Sequence, residues 1–176
     1  MHAVLDVAGV RVGVVHGDME SLAGWSYSEA ALATAAGLAQ LRDHLDLSRV
    51  RVVASSHTCL PVALTTEAEA GRCALINNGA AGMPNFSGTR YGLMTRIASR
   101  PADDALYRTR IDGVYVEAIP IDFDPDTWLA HFSERWPQGS AAHTSYFERM
   151  KAGPGYLLSS AVREGFRIVR SQATIG

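Results

Sequence analysis

The chain has 176 residues, of which 47% are hydrophobic and 19% charged, the composition of one globular domain. Sixteen Lys and Arg against 18 Asp and Glu leave a net charge of −2, which excludes a basic nucleic-acid surface as a whole-chain property, so no nucleic-acid partner is expected. No apolar run reaches the ~18 residues of a membrane span. Residues 1–10 lack the basic and apolar regions of a signal peptide. Two cysteines, Cys59 and Cys73, do not make a disulfide scaffold. The expectation is a reduced cytoplasmic chain with no membrane partner.

The chain opens in β pattern. Val4, Leu5 and Val7 precede a turn at Ala8-Gly9, and Val10, Val12 and Val14 then alternate with Arg11 and Gly13 as in a half-buried hairpin strand. Ser26 followed three residues later by Glu29 has the form of a capping box, so a helix is predicted from about Ser28. Leu32, Ala35, Ala36, Leu38, Leu41 and Leu45 give that helix an apolar stripe. Strands are predicted over Val50–Ala54, Val62–Thr66 and Cys73–Asn77, then over Arg90–Ile97 and, after an exposed loop, Gly113–Ile121. A Gly-rich loop runs from Asn78 to Asn85.

The chain turns helical from about residue 125. Asp124 caps, Pro125 takes the first helical position, and Trp128, Phe132 and Trp136 recur every four residues as a core-facing aromatic stripe until Pro137. Ser140 caps a second helix that ends at Gly153-Pro154, and a shorter one is predicted over Leu157–Arg163. Arg167–Ile175 carries no clear pattern. The order argues one α+β domain over residues 1–176, with helices packed on a mixed sheet.

Polar residues at the ends of apolar strands are the candidates for chemistry, because strand ends anchor rigidly what the following loops present. His16 follows Val14-Val15 and precedes Gly17-Asp18. A neutral imidazole there suits a metal, or equally a bond to a nearby carbonyl. His57 follows Val52-Val53-Ala54 in the same way, and Cys59 two residues on shares its face if the segment is extended. His57 and Cys59 read as a ligand pair, as a thiolate beside a base, or as a histidine next to a buried apolar thiol. Asn77-Asn78-Gly79 offers amide and backbone N–H donors to an anion, or makes a plain wide turn. His44 falls near the predicted end of the first helix, where a cation suits the dipole. His131 and His143 are expected on helix surfaces. Asp103 and Asp104 are read as solvated, and Asp122, Asp124 and Asp126 as charges flanking a helix start.

Together these segments resemble the second half of the calcineurin-like metallophosphoesterase superfamily. There a strand ends in His-Gly, the next in Gly-His-x-His, often followed by Pro, and a further strand leads to an Asn-rich turn. The matching segments here are Val14-Val15-His16-Gly17-Asp18, Ser56-His57-Thr58-Cys59-Leu60-Pro61 and Ile76-Asn77-Asn78-Gly79. Ser56 stands in place of the glycine and Cys59 in place of the second histidine. The family's earlier Asp-x-His, Gly-Asp-x-x-Asp and Gly-Asn-His-Asp/Glu motifs do not occur in the 176 residues, and only 15 residues precede His16.

The resemblance implies half of a helix-flanked two-sheet sandwich and metal-dependent hydrolysis of a small phosphoester. It implies a divalent metal (Mn, Fe or Zn) on His16, His57 and Cys59, with His57 catalytic as a ligand and Asn77, Asn78 and Gly79 binding substrate. Two or three ligands do not build the family's dinuclear site, so this chain carries part of it. A half-sandwich also uncovers apolar sheet surface, which leads to an expected homodimer or to a separate chain supplying the missing half. The alternative is a truncated, non-catalytic domain stabilised by homo-oligomerisation.

Overall fold

The computed structural model describes residues 2–170. The hairpin β1 (His2–Val7) and β2 (Val10–Val15) is followed by α1 (Ala35–Ser48), β3 (Val52–Ser55), β4 (Val62–Ala68) and β5 (Gly71–Asn77). Then come β6 (Gly92–Ala98), β7 (Tyr107–Ile111), β8 (Val114–Ile121), α2 (Pro125–Arg135), α3 (Ala141–Ala152), α4 (Leu158–Ala161) and β9 (Arg167–Ile168). Residues 171–175 of the unpatterned tail lie outside the described residues. No described helix is long and apolar enough to cross a membrane.

Two sheets form. The first has the order β1-β2-β3-β5-β4 and the second β6-β8-β7-β9. In the first, β2 runs parallel to β3 and β3 parallel to β5, while both hairpins are antiparallel, so the sheet is mixed as expected. Near-continuous apolar runs suit strands covered on both faces. Val52, Ala74, Ile76, Leu93, Val114 and Val116 fill the layer between the sheets, and Val53, Cys73 and Leu75 pack on the other side with Leu41 and Leu45 of α1.

The helix starts later than the capping-box reading. Ser26 gives its backbone N–H to the Asp18 carboxylate, and Glu29 is drawn to Arg163, so neither serves as a cap. Thr34 caps α1 instead, its hydroxyl accepting from the Gly37 N–H. The segment read as an exposed loop contains β7, whose Tyr107, Arg108, Thr109 and Ile111 are buried. Its hairpin to β8 turns on Asp112-Gly113, both at positive φ.

The aromatic stripe of α2 does not enter the core. No residue of α2 is buried, and Trp128 and Trp136 are 46% and 48% exposed. The helix lies outside both layers, touching α3 through Phe132 and His143. His143, expected at the surface, is half-buried and stacked on Phe147.

Part of the first sheet is uncovered. Leu5, Val7, Val12 and Val14 face inward, yet Leu5 is 53% and Val14 38% exposed, because the second sheet stops at β6 and does not reach over the β1–β2 hairpin. The result is a largely apolar cleft of about 330 Å³ between that hairpin and Thr95 and Ile97 of β6. Leu93 pairs with Pro120, which has no N–H, and turns its own backbone outward to Ala80 and the Asn78 amide. The two-residue period of an antiparallel ladder aims the backbone of Thr95 and Ile97 the same way, along an open edge. The Thr95 hydroxyl is buried there without a partner.

Candidate functional site

Parallel pairing of β2, β3 and β5 brings three carboxyl ends to one rim. His16 follows β2, Ser56 and His57 follow β3, and Asn77 ends β5 and leads into Asn78-Gly79. The rim is laced by hydrogen bonds. The Ser56 N–H donates to the His16 carbonyl at 3.0 Å, and the Asn78 N–H to the Ser55 carbonyl at 3.1 Å. The Ser55 hydroxyl donates to the Gly17 carbonyl at 2.6 Å, and the Ser56 hydroxyl to the Gly79 carbonyl at 3.3 Å. The carboxyl edge of a parallel sheet is where such folds bind ligands.

On this rim His57 Nδ1 lies 3.2 Å from His16 Nε2, across 41 positions of chain. His16 is exposed and His57 half-buried. His57 sits at φ 60° and Cys59 at φ 64°, left-handed backbone that few non-glycine residues adopt. Such strain persists where the surroundings over-determine it. Here buried Thr58 supplies the anchor, its hydroxyl accepting from the Asn77 amide at 2.8 Å. Arg149 of α3 also donates to the Cys59 carbonyl.

Left-handed backbone replaces the extended segment that the sequence reading assumed, which removes the argument that His57 and Cys59 share a face. The Cys59 thiol turns to the His57 carbonyl at 3.4 Å. Among the described residues no three His, Cys, Asp or Glu side chains are grouped to hold a metal. The structure therefore brings His16 and His57 together and does not add Cys59 as a third ligand.

The asparagine segment is at the rim, but most of its polar groups are already committed. Asn77 is fully buried; its amide N–H groups go to Thr58 and to the Tyr27 carbonyl, and its oxygen accepts from the Gly79 N–H. Gly79 is at φ +69°, and a Cβ there would stand 2.3 Å from the Asn85 side chain and 2.9 Å from Pro61. Only Asn78 keeps a free amide N–H, since its Nδ2 makes one bond, to the Leu93 carbonyl.

Trp25 carries no signal in the sequence, and the contacts of His44 carry none either. Trp25 stands beside the pair, its ring centroid 5.7 Å from that of His57, and is 61% exposed. His44, read near the end of the first helix, is buried within it, with Nδ1 2.7 Å from the Tyr27 hydroxyl and Nε2 3.3 Å from Glu20. Burial pushes the Tyr27 hydroxyl well above the usual phenol range, keeping it protonated. The 17–26 loop that carries Trp25 is tied by Asp18. One carboxylate oxygen accepts from the Glu20 and Ser21 N–H groups at 3.0 and 2.8 Å, the other from Ser26 at 3.2 Å.

No family model matches the sequence, and no curated protein matches it. Among solved structures the chain is similar to a metallophosphoesterase from Sphaerobacter thermophilus, with 18% identity, a TM-score of 0.53, and coverage of 87% of this chain and 59% of that one. It is also similar to a hypothetical protein from Pyrococcus horikoshii OT3, with 11% identity, a TM-score of 0.51, and coverage of 88% and 51%. The fold is thus a mixed α+β, metallophosphoesterase-like sandwich of two sheets flanked by helices. The chain spans between half and three-fifths of the length of these structures.

Burial alone would raise the Asp18 carboxyl, but the Ser21, Ser26 and Glu20 N–H donors outweigh it and hold the group below its ordinary 3.8. A carboxylate whose folded pKa is lowered stabilises fully above the unfolded value and loses that contribution as the pH falls through the folded one. The loop is therefore expected to hold from neutral pH down to about 4 and to loosen only below. Asp18→Asn is expected to raise amide exchange at Ser21 and Ser26 by roughly tenfold at neutral pH, the loss of about one charge-assisted hydrogen bond. Unchanged protection at both amides contradicts this role.

Proposed function

We propose that the chain carries the histidine rim of a metal-dependent phosphoesterase, with His16 and His57 as ligands to one divalent metal. The observation that carries this is the 3.2 Å approach of His57 Nδ1 to His16 Nε2. Two imidazole nitrogens each about 2.0–2.1 Å from one tetrahedral zinc lie about 3.3 Å apart, so the pair fits as two members of a larger ligand set. Fe or Zn suits such nitrogen donors, and Mn would need oxygen ligands beside them. The fold shared with the Sphaerobacter metallophosphoesterase supports the reaction class.

When bound, the metal would supply Lewis acidity and an activated water. The chain's own residues hold two imidazoles at a fixed separation, with the strained backbone at His57 fixing its ring. Asn78 offers its remaining amide N–H to a phosphoryl oxygen at the rim. Asn77 and Gly79 shape the loop and have little left to donate. Further ligands come from water, substrate or another polypeptide, so activity of the chain alone is expected to be low.

Zinc or manganese is expected to bind the purified protein at about one equivalent by elemental analysis and titration. His16→Ala and His57→Ala should each weaken it at least tenfold, roughly the loss of one ligand. Metal-dependent hydrolysis of an aryl phosphate is expected to vanish in His57→Ala. Metal binding that neither substitution affects contradicts the proposal.

The uncovered cleft beside β6 favours a second reading, in which a non-catalytic domain persists by self-association over Leu5 and Val14. Sedimentation at micromolar concentration is then expected to give a dimer that Leu5→Lys dissociates. A strictly monomeric wild-type chain contradicts self-association.

A further inference from the structure

Trp25 is the largest apolar side chain at the histidine rim, and it is held in water. At 61% exposure a broad part of the indole is open to solvent beside His57. A tryptophan that serves packing alone would turn inward, as Tyr27 does two residues on, where it is fully buried. Trp25 is prevented from doing so by the loop beneath it. Asp18 gathers three N–H groups of that loop, the Gly24 N–H bonds the Ser21 carbonyl, and the Ser28 N–H bonds the Trp25 carbonyl. A Cβ on Gly17 would lie 2.5 Å from the Ser21 carbonyl and one on Gly24 1.9 Å from the Asp18 carboxylate. Both glycines therefore permit a turn too tight for any other residue. The Gly17 carbonyl is tied in turn to Ser55, at the root of the His57 loop.

The ring is thus positioned in advance on the same rigid rim as the imidazole pair. Flat aromatic groups stack on such a face at low entropic cost, since the surface is already ordered and each stacked ring sheds apolar area. We propose that Trp25 is a stacking platform for a planar aromatic group, and that the substrate is a phosphoester whose alcohol carries such a ring, a nucleobase or an aryl group. The substrate class rests on the phosphoesterase reading of the rim, whereas the stacking contact stands on Trp25 and its loop.

Saturation-transfer NMR with adenosine, adenosine monophosphate and ribose 5-phosphate as probes separates the two, on the full chain with zinc present. The adenine protons of the two base-bearing probes are expected to receive saturation, and ribose 5-phosphate to bind at least tenfold more weakly than the monophosphate. Trp25→Ala should weaken both base-bearing probes about tenfold, and Trp25→Phe should retain binding within about threefold, as expected for stacking. Tighter binding of the monophosphate than of adenosine supports the phosphoester. Equal binding of the two, still dependent on Trp25, overturns the phosphoester and keeps the platform. Adenosine binding that Trp25→Ala leaves unchanged, or equal losses in the Ala and Phe variants, overturns the platform.

Discussion

The parallel register of β2, β3 and β5 is the constraint on which the site depends. Val14 pairs with Ala54 and Ala54 with Ile76, so each strand ends within a residue or two of its neighbour on the same edge. Nothing local in the three loops would bring His16 and His57 to 3.2 Å across 41 positions. The apolar faces on both sides fix the register, because a one-residue slip would turn every buried valine and leucine to the wrong layer. Serine hydroxyls and backbone amides then lock the rim, and buried Asn77 spends its whole side chain on that task.

The strands of the first sheet could be read from the sequence because their apolar runs are short and bounded by turn residues. The helix start could not, although Ser26 and Glu29 match a capping pattern. Their groups are captured by Asp18 and by Arg163, the latter 134 positions away in the chain, and no local window contains that competition. The hairpin of β7 and β8 was within reach, since Asp112-Gly113 is a strong turn signal between alternating residues. The α2 stripe misled for the opposite reason: helical spacing reports a shared face and says nothing of what lies opposite it.

The site divides in the same way. The two histidines show themselves as polar residues closing apolar strands. Trp25 gives no such signal, because its position follows from an aspartate seven residues earlier and from two glycines that admit close backbone contact. Cys59 takes the place of the motif's second histidine in sequence, but left-handed backbone at His57 and Cys59 breaks the alternation of an extended segment. A buried Glu117 between Arg96 and Arg108 shows that this chain does pair its charges inside the second sheet. Among the described residues no carboxylate joins the two histidines to complete a group of three metal-binding side chains, so the proposed metal would need ligands beyond this pair.

X-ray absorption at the zinc edge of the loaded protein shows whether both imidazoles reach the metal. The expected spectrum has a nitrogen and oxygen shell at about 2.0 Å with multiple scattering from two imidazoles, reduced to one ring in either single histidine-to-alanine variant. A spectrum without imidazole scattering, or one unchanged by both substitutions, would contradict ligation by the pair.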